Sequence, residues 1–164
     1  MYIIAMYGFL MGSGPPGAAA GATVWRLATK WRSAVDRALA PLGLTHAQYV
    51  LLAALHGLER AGRQPTQREL ADETGLEALY VSKLARTLEA NGLITRRRDA
   101  HDTRAVRLIL TDHGRASAPP AMRTVQELLE RLLAPIGGRD GARATALVRE
   151  LGVLLDAPLD PPSS

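Results

Sequence analysis

The stretch from Thr66 to Gly114 constrains its own local structure more tightly than any other part of this chain. Thr66 carries a hydroxyl able to accept a backbone N–H from a first helical turn. Glu69, three residues on, reaches back to the Thr66 N–H and completes a capping box. Leu70 and Ala71 supply a buried side, and Gly75 closes the helix where a left-handed backbone is needed. A second helix starts near Glu77. Val81, Leu84 and Leu88 recur at i, i+3, i+7 as one apolar stripe, which turns Tyr80, Ser82, Lys83 and Arg86 elsewhere. Asn91-Gly92 stops it. Two β-type runs follow, residues 93–96 and 106–110, the second alternating at its start. The polar loop between them holds Arg97, Arg98, Asp99, His101, Asp102 and Arg104. Helix, tight turn, helix and basic hairpin together make a winged helix.

Charge placement points the same way. Residues 83–107 contain seven Lys or Arg (Lys83, Arg86, Arg96, Arg97, Arg98, Arg104, Arg107) and three acids (Glu89, Asp99, Asp102), so 7 − 3 = +4. The whole chain, with 20 basic and 16 acidic residues, is also +4, so everything outside that window sums to zero. A localised positive patch is the electrostatic footprint of a nucleic-acid binder. Most charge runs are merely solvated surface; this one lies within and beside helix-turn-helix spacing, which favours DNA. A sequence pI near 10.0 suits an acidic partner.

At 164 residues the chain has the length of one domain with room for a core. Ala and Leu are abundant and β-branched residues are few outside the hairpin, which predicts a mostly α fold with a small β-wing. There is no cysteine, which excludes disulfides, thiolate metal sites and a cysteine redox switch, and fits a cytoplasmic protein.

The remaining segments are read in order. Residues 1–20 are expected to be a flexible N-terminal arm. Its apolar Met1–Leu10 portion lacks the positive leading segment of a signal peptide and is about half the length of a membrane span. It is either an arm ordered on a partner subunit or an extension ahead of a true start at Met11, the second being preferred. Residues 21–44 carry a helix to about residue 40, with Val24, Leu27, Trp31, Ala34, Val35 and Ala38 on one face. Thr45 caps the next helix, apolar on most sides and central to the fold, which runs to about Arg60. A linker from Gly62 to Pro65, with one short strand pair, leads into the 45–115 DNA-binding region. Thr111 caps a helix that Pro119-Pro120 is expected to kink or restart. Residues 116–156 hold the C-terminal helices, with Met122, Val125, Leu128, Leu129 and Leu132 on one stripe. After a Gly137-Gly138 turn, a last helix runs from about Arg139 to Leu155. Residues 157–164 form a disordered tail. The apolar surplus of the terminal helices predicts a symmetric homodimer.

No catalytic set is present. There is no G-x-S-x-G and no H-E-x-x-H, and the glycines of residues 12–17 lack the Lys-Ser/Thr of a phosphate loop. His46, His56, His101 and His113 show no local ligand spacing. The sequence therefore predicts no enzyme, no metal and no cofactor.

Four motifs resemble the MarR family of bacterial transcription regulators. Leu44-Thr-His-Ala-Gln-Tyr-Val-Leu-Leu-Ala-Ala-Leu55 is similar to its second helix, and Glu69-Leu-Ala-Asp-Glu-Thr-Gly-Leu76 to the start of its reader. Leu88-Glu-Ala-Asn-Gly-Leu-Ile-Thr-Arg96 resembles the exit from its recognition helix. Asp99-x-x-Asp102-x-Arg104 with Leu110-Thr-Asp-His-Gly114 resembles its wing and is the most specific of the four. The resemblance implies a cytoplasmic homodimeric repressor on a pseudo-palindromic duplex, with the recognition helix in the major groove and Arg104, oriented by Asp102, in the minor groove. The DNA-binding set it implies is Leu79, Tyr80, Ser82, Lys83, Arg86, Arg96, Arg97, Arg98, Asp102 and Arg104. Arg86 suits a guanine, and Leu79 and Tyr80 suit thymine methyls or sugars. It further implies a cleft for a small aromatic or anionic effector near His46 and Tyr49, with Trp25 and Trp31 beside it. The family pattern is departed from at Glu77-Ala-Leu-Tyr80, where small hydroxyl residues are usual, at Thr103, and at Pro119-Pro120. The competing reading is a winged-helix module that binds protein without sequence-specific DNA binding.

Overall fold

The computed structural model describes residues 16–99, 102 and 104–158. The Met1–Leu10 segment, the Met11 alternative, His101, Thr103 and the tail from residue 159 lie outside the described residues. A 3-10 turn, Pro16–Ala19, precedes α1 (Ala20–Leu39), α2 (His46–Arg60), α3 (Gln67–Thr74), α4 (Ala78–Ala90), β1 (Ile94–Arg98), β2 (Val106–Leu110), α5 (Asp112–Leu133) and α6 (Ala142–Leu155). The strands form a two-stranded antiparallel sheet. The fold is mostly helical with a small β-wing, as the sequence implies. The chain divides into two compact units, one ending at Met122 and one beginning at Arg123.

In the first unit α2 is the central element, with Leu51, Leu52, Leu55 and Leu58 buried. Its capping box is complete. The Thr45 hydroxyl accepts the Gln48 N–H at 3.3 Å, and the Thr45 N–H donates to the Gln48 side chain at 2.8 Å. The His46 N–H donates to Asp36 Oδ1 at 2.6 Å, tying the start of α2 to α1. Val35 and Leu39, near the end of α1, are fully buried, whereas Val24 and Leu27 on the expected stripe are exposed. The Thr66–Glu69 box closes at 2.7 and 3.2 Å, and Gly75 takes φ +66° as expected. The linker does form a short pairing, Thr66 opposite Arg107, with the Leu108 N–H donating to Pro65 O.

Three expectations are corrected. The first strand is Ile94–Arg98 and not 93–96, so Arg97 and Arg98 lie in the sheet, paired with Arg107 and Val106, and not in the loop. Ladder hydrogen bonds extend the strand beyond the point where its apolar residues end. Pro119 and Pro120 do not restart the helix, because both lie inside the unbroken α5. Ala118 and Ala121 beside them are fully buried, and packing of that face outweighs the missing N–H donors. In the second unit α6 begins at Ala142, later than Arg139. Gly141 is its extended N-cap, and Arg139 instead pairs with Glu130 at 3.3 Å. No single described helix is long and apolar enough to cross a membrane.

Candidate nucleic-acid interface

The helix-turn-helix is built from α3 and α4. The left-handed Gly75 lets the chain reverse, and the Leu76 N–H closes the turn on Ala71 O at 3.1 Å. Val81, Leu84, Ala85 and Leu88 anchor α4 in the core. The outer face of α4 carries Leu79, Lys83 and Arg86, all exposed, with Ser82 half-buried between them. Its N-cap, Glu77, makes no side-chain cap.

The wing is braced from below. Register places Arg97 directly opposite Arg107, a like-charge pair that would repel. Asp99, buried, takes the Arg107 Nε–H on one oxygen and the Asp102 N–H on the other at 2.9 Å. The Arg107 guanidinium also donates to Gln64 O. Arg107 is thus a strut between the linker and the wing, and Arg97 and Arg98 are left exposed. At the wing tip Asp102 Oδ1 accepts the Arg104 N–H at 3.0 Å and its Nε–H at 3.4 Å. The pairing implied by the motif is present, and the Arg104 side chain remains 93% exposed. Arg96 is placed differently from its neighbours. Its N–H donates to Glu89 at 3.0 Å, and its guanidinium, about a quarter exposed, stands 3.6 Å from the same carboxylate. An open groove of about 890 Å³ runs between α3 and the wing, with Gln67, Arg68 and Asp72 on one wall and Asp102, Arg104 and Arg107 on the other. The Asp99–Arg107 strut carries no local sequence signal, because its two residues meet only once the hairpin register is known.

A second cleft, about 440 Å³, is walled by Arg32 and Asp36 of α1, Thr45 and His46 at the start of α2, and Tyr80 of α4. Partial burial holds the His46 pKa below its ordinary value. Nearby Asp36 opposes that shift and Arg32 adds to it. The Trp31 ring meets the His46 ring edge-on, centroids 6.4 Å apart. Of the four residues expected near an effector, His46 lines this cleft and Trp31 adjoins His46. Tyr49 is half-buried and is not part of the lining, its hydroxyl pKa raised by burial. Trp25 is 68% exposed on α1. Arg32 and Asp36 were missed by the sequence reading. Their one-turn spacing at the end of α1 was the available signal.

Residues 42–105 match the family model described as MarR family. The uncharacterized HTH-type transcriptional regulator YdcH of Bacillus subtilis strain 168 is 34% identical over 113 residues, covering 69% of this chain and 77% of YdcH. The chain belongs to the MarR family. Among solved structures, the transcriptional repressor CouR bound to a 23-mer DNA duplex is 30% identical with a TM-score of 0.71, over 90% of this chain and 96% of that one. The Mycobacterium tuberculosis regulator MOSR in complex with DNA is 29% identical with a TM-score of 0.67, over 84% and 96%. This MarR-family chain is accordingly a DNA-binding transcriptional regulator of winged-helix fold.

Proposed function

We propose that the protein is a homodimeric repressor of a pseudo-palindromic operator, released by a small aromatic or anionic ligand. The observation that carries the DNA-contact part is the shared exposure of Lys83 and Arg86 on α4 with Arg97, Arg98 and Arg104 on the wing. Leu79, Lys83 and Arg86, with Ser82, enter the major groove. Arg104, oriented by Asp102, enters the minor groove, where narrowing concentrates negative potential. Arg97 and Arg98 meet phosphates. Arg96 acts mainly through Glu89 at the base of the wing, and Tyr80 faces the effector cleft more than the groove. The exposed apolar side chains of α1 (Val24, Trp25, Leu27) and of α6 (Val148, Leu151, Leu154, Leu155) support a second copy as the cover for these helices. The ligand enters the cleft of His46, Arg32 and Tyr80. Because Tyr80 belongs to the recognition helix, occupancy shifts that helix and the two readers lose their one-turn spacing.

The test is a salt series with the protein's own upstream duplex and a random duplex. Binding that weakens steeply with salt and falls in Arg104→Ala supports the regulator reading. A folded dimer that binds neither duplex at low salt overturns it in favour of the protein-interaction module.

A further inference from the structure

Leu79 is 83% exposed on a helix whose neighbouring turns bury Val81, Leu84 and Leu88. On a DNA-reading helix, a large apolar side chain so displayed is matched by an apolar feature of the major groove. We propose that Leu79 is a specificity-determining residue that reads the 5-methyl group of a thymine in each half-site. This rests on the regulator reading above and goes beyond it by naming the base.

The geometry separates Leu79 from its neighbour. At about 100° per residue, Lys83 and Arg86 stand within about 40° of Leu79 around the helix axis, whereas Tyr80 is turned by about 100°. Tyr80 lines the cleft with His46 and Arg32. Leu79 thus heads a stripe of one apolar and two cationic side chains, complementary to a thymine methyl flanked by phosphates and a guanine edge. The major groove offers an apolar feature at only one base, the thymine methyl. Leu79 and Arg86 are seven residues apart, about 10 Å along the helix axis at about 1.5 Å per residue, so the two side chains meet different base pairs of one half-site.

The experiment begins with selection of tight-binding duplexes from a random pool by the full-length protein. Each thymine of the selected site is then replaced singly by deoxyuridine, which removes the methyl group and leaves the hydrogen-bonding edge. The wild-type protein is expected to lose about fourfold in affinity at one thymine per half-site, the worth of one buried methyl. Leu79→Ala is expected to bind thymine and deoxyuridine equally at that position. Its side chain supports no core contact, so unchanged thermal unfolding confirms an intact fold. Selected duplexes that tolerate every replacement, or a Leu79→Ala protein that keeps the wild-type methyl dependence, overturn the assignment and leave the regulator reading standing. A pool from which no sequence is enriched overturns both.

Discussion

At Gly114 the fold tolerates no side chain. A Cβ built there would stand 2.0 Å from Leu93 O, because the start of α5 lies directly on the exit from the recognition helix. The Thr111 side chain fixes that approach, donating to Gly92 O at 2.6 Å and accepting the Gly114 N–H at 3.0 Å. Gly114→Ala is expected to destabilise the protein by about 2 kcal/mol or more, read as a fall in the urea midpoint, since a backbone carbonyl cannot yield as a side chain can. His46 gives a second residue-scale prediction. Burial lowers its folded pKa below the unfolded value, so the folded state binds fewer protons. Its contribution is complete above about pH 6.5 and is lost as pH falls from there through the depressed folded value. His46→Gln is therefore expected to flatten the decline in melting temperature between about pH 7 and pH 5. An unchanged slope would contradict the assignment.

Two elements show which interactions a sequence reveals. The caps at Thr45 and Thr66 and the stop at Gly75 were legible because each is a relation among residues three to nine positions apart. The helix-turn-helix followed from them, as did the exposed face of α4. The wing was legible as a hairpin but not in its register, and register decides that Arg107 is a buried carboxylate's partner while Arg97 and Arg98 are exposed. The apparent +4 patch is in part internal wiring: Arg107 goes to Asp99 and Arg96 to Glu89. The one-turn spacing of Arg32 and Asp36 puts them on one face of α1, but their meeting with His46 in the cleft is visible only when α1, α2 and α4 are brought together. Helix α5 shows the opposite failure. The local rule against Pro119-Pro120 is sound, but burial of Ala118 and Ala121 overrides it. Pro119→Ala restores an N–H able to donate to the carbonyl one turn earlier. It is expected to raise stability by about 1 kcal/mol or more, measured by denaturant unfolding. A destabilised variant would mean that α5 owes its geometry to the proline.

For the whole molecule, the question is what covers the apolar side chains left open on the terminal helices. On α6, Val148, Leu151, Leu154 and Leu155 are all exposed in a single chain, with Leu155 the most exposed at 85%. Residues 148, 151 and 155 fall on one side of a helix, a pattern that serves burial and has no use in water. The homodimer proposed above supplies that use, because its two recognition helices must be held one helical turn apart. Leu151→Asp with Leu155→Asp places charge on this face without touching the recognition helix or the wing. Sedimentation is expected to change from a species of twice 17.6 kDa to one of 17.6 kDa. Operator affinity should fall with it, because each monomer then engages a single half-site, while the salt dependence of the residual binding drops to about half as neutralised phosphates are halved. A variant that remains dimeric would place the interface elsewhere. A monomer that binds the operator as tightly as wild type would separate dimerisation from DNA recognition and remove the geometric basis for release by a ligand.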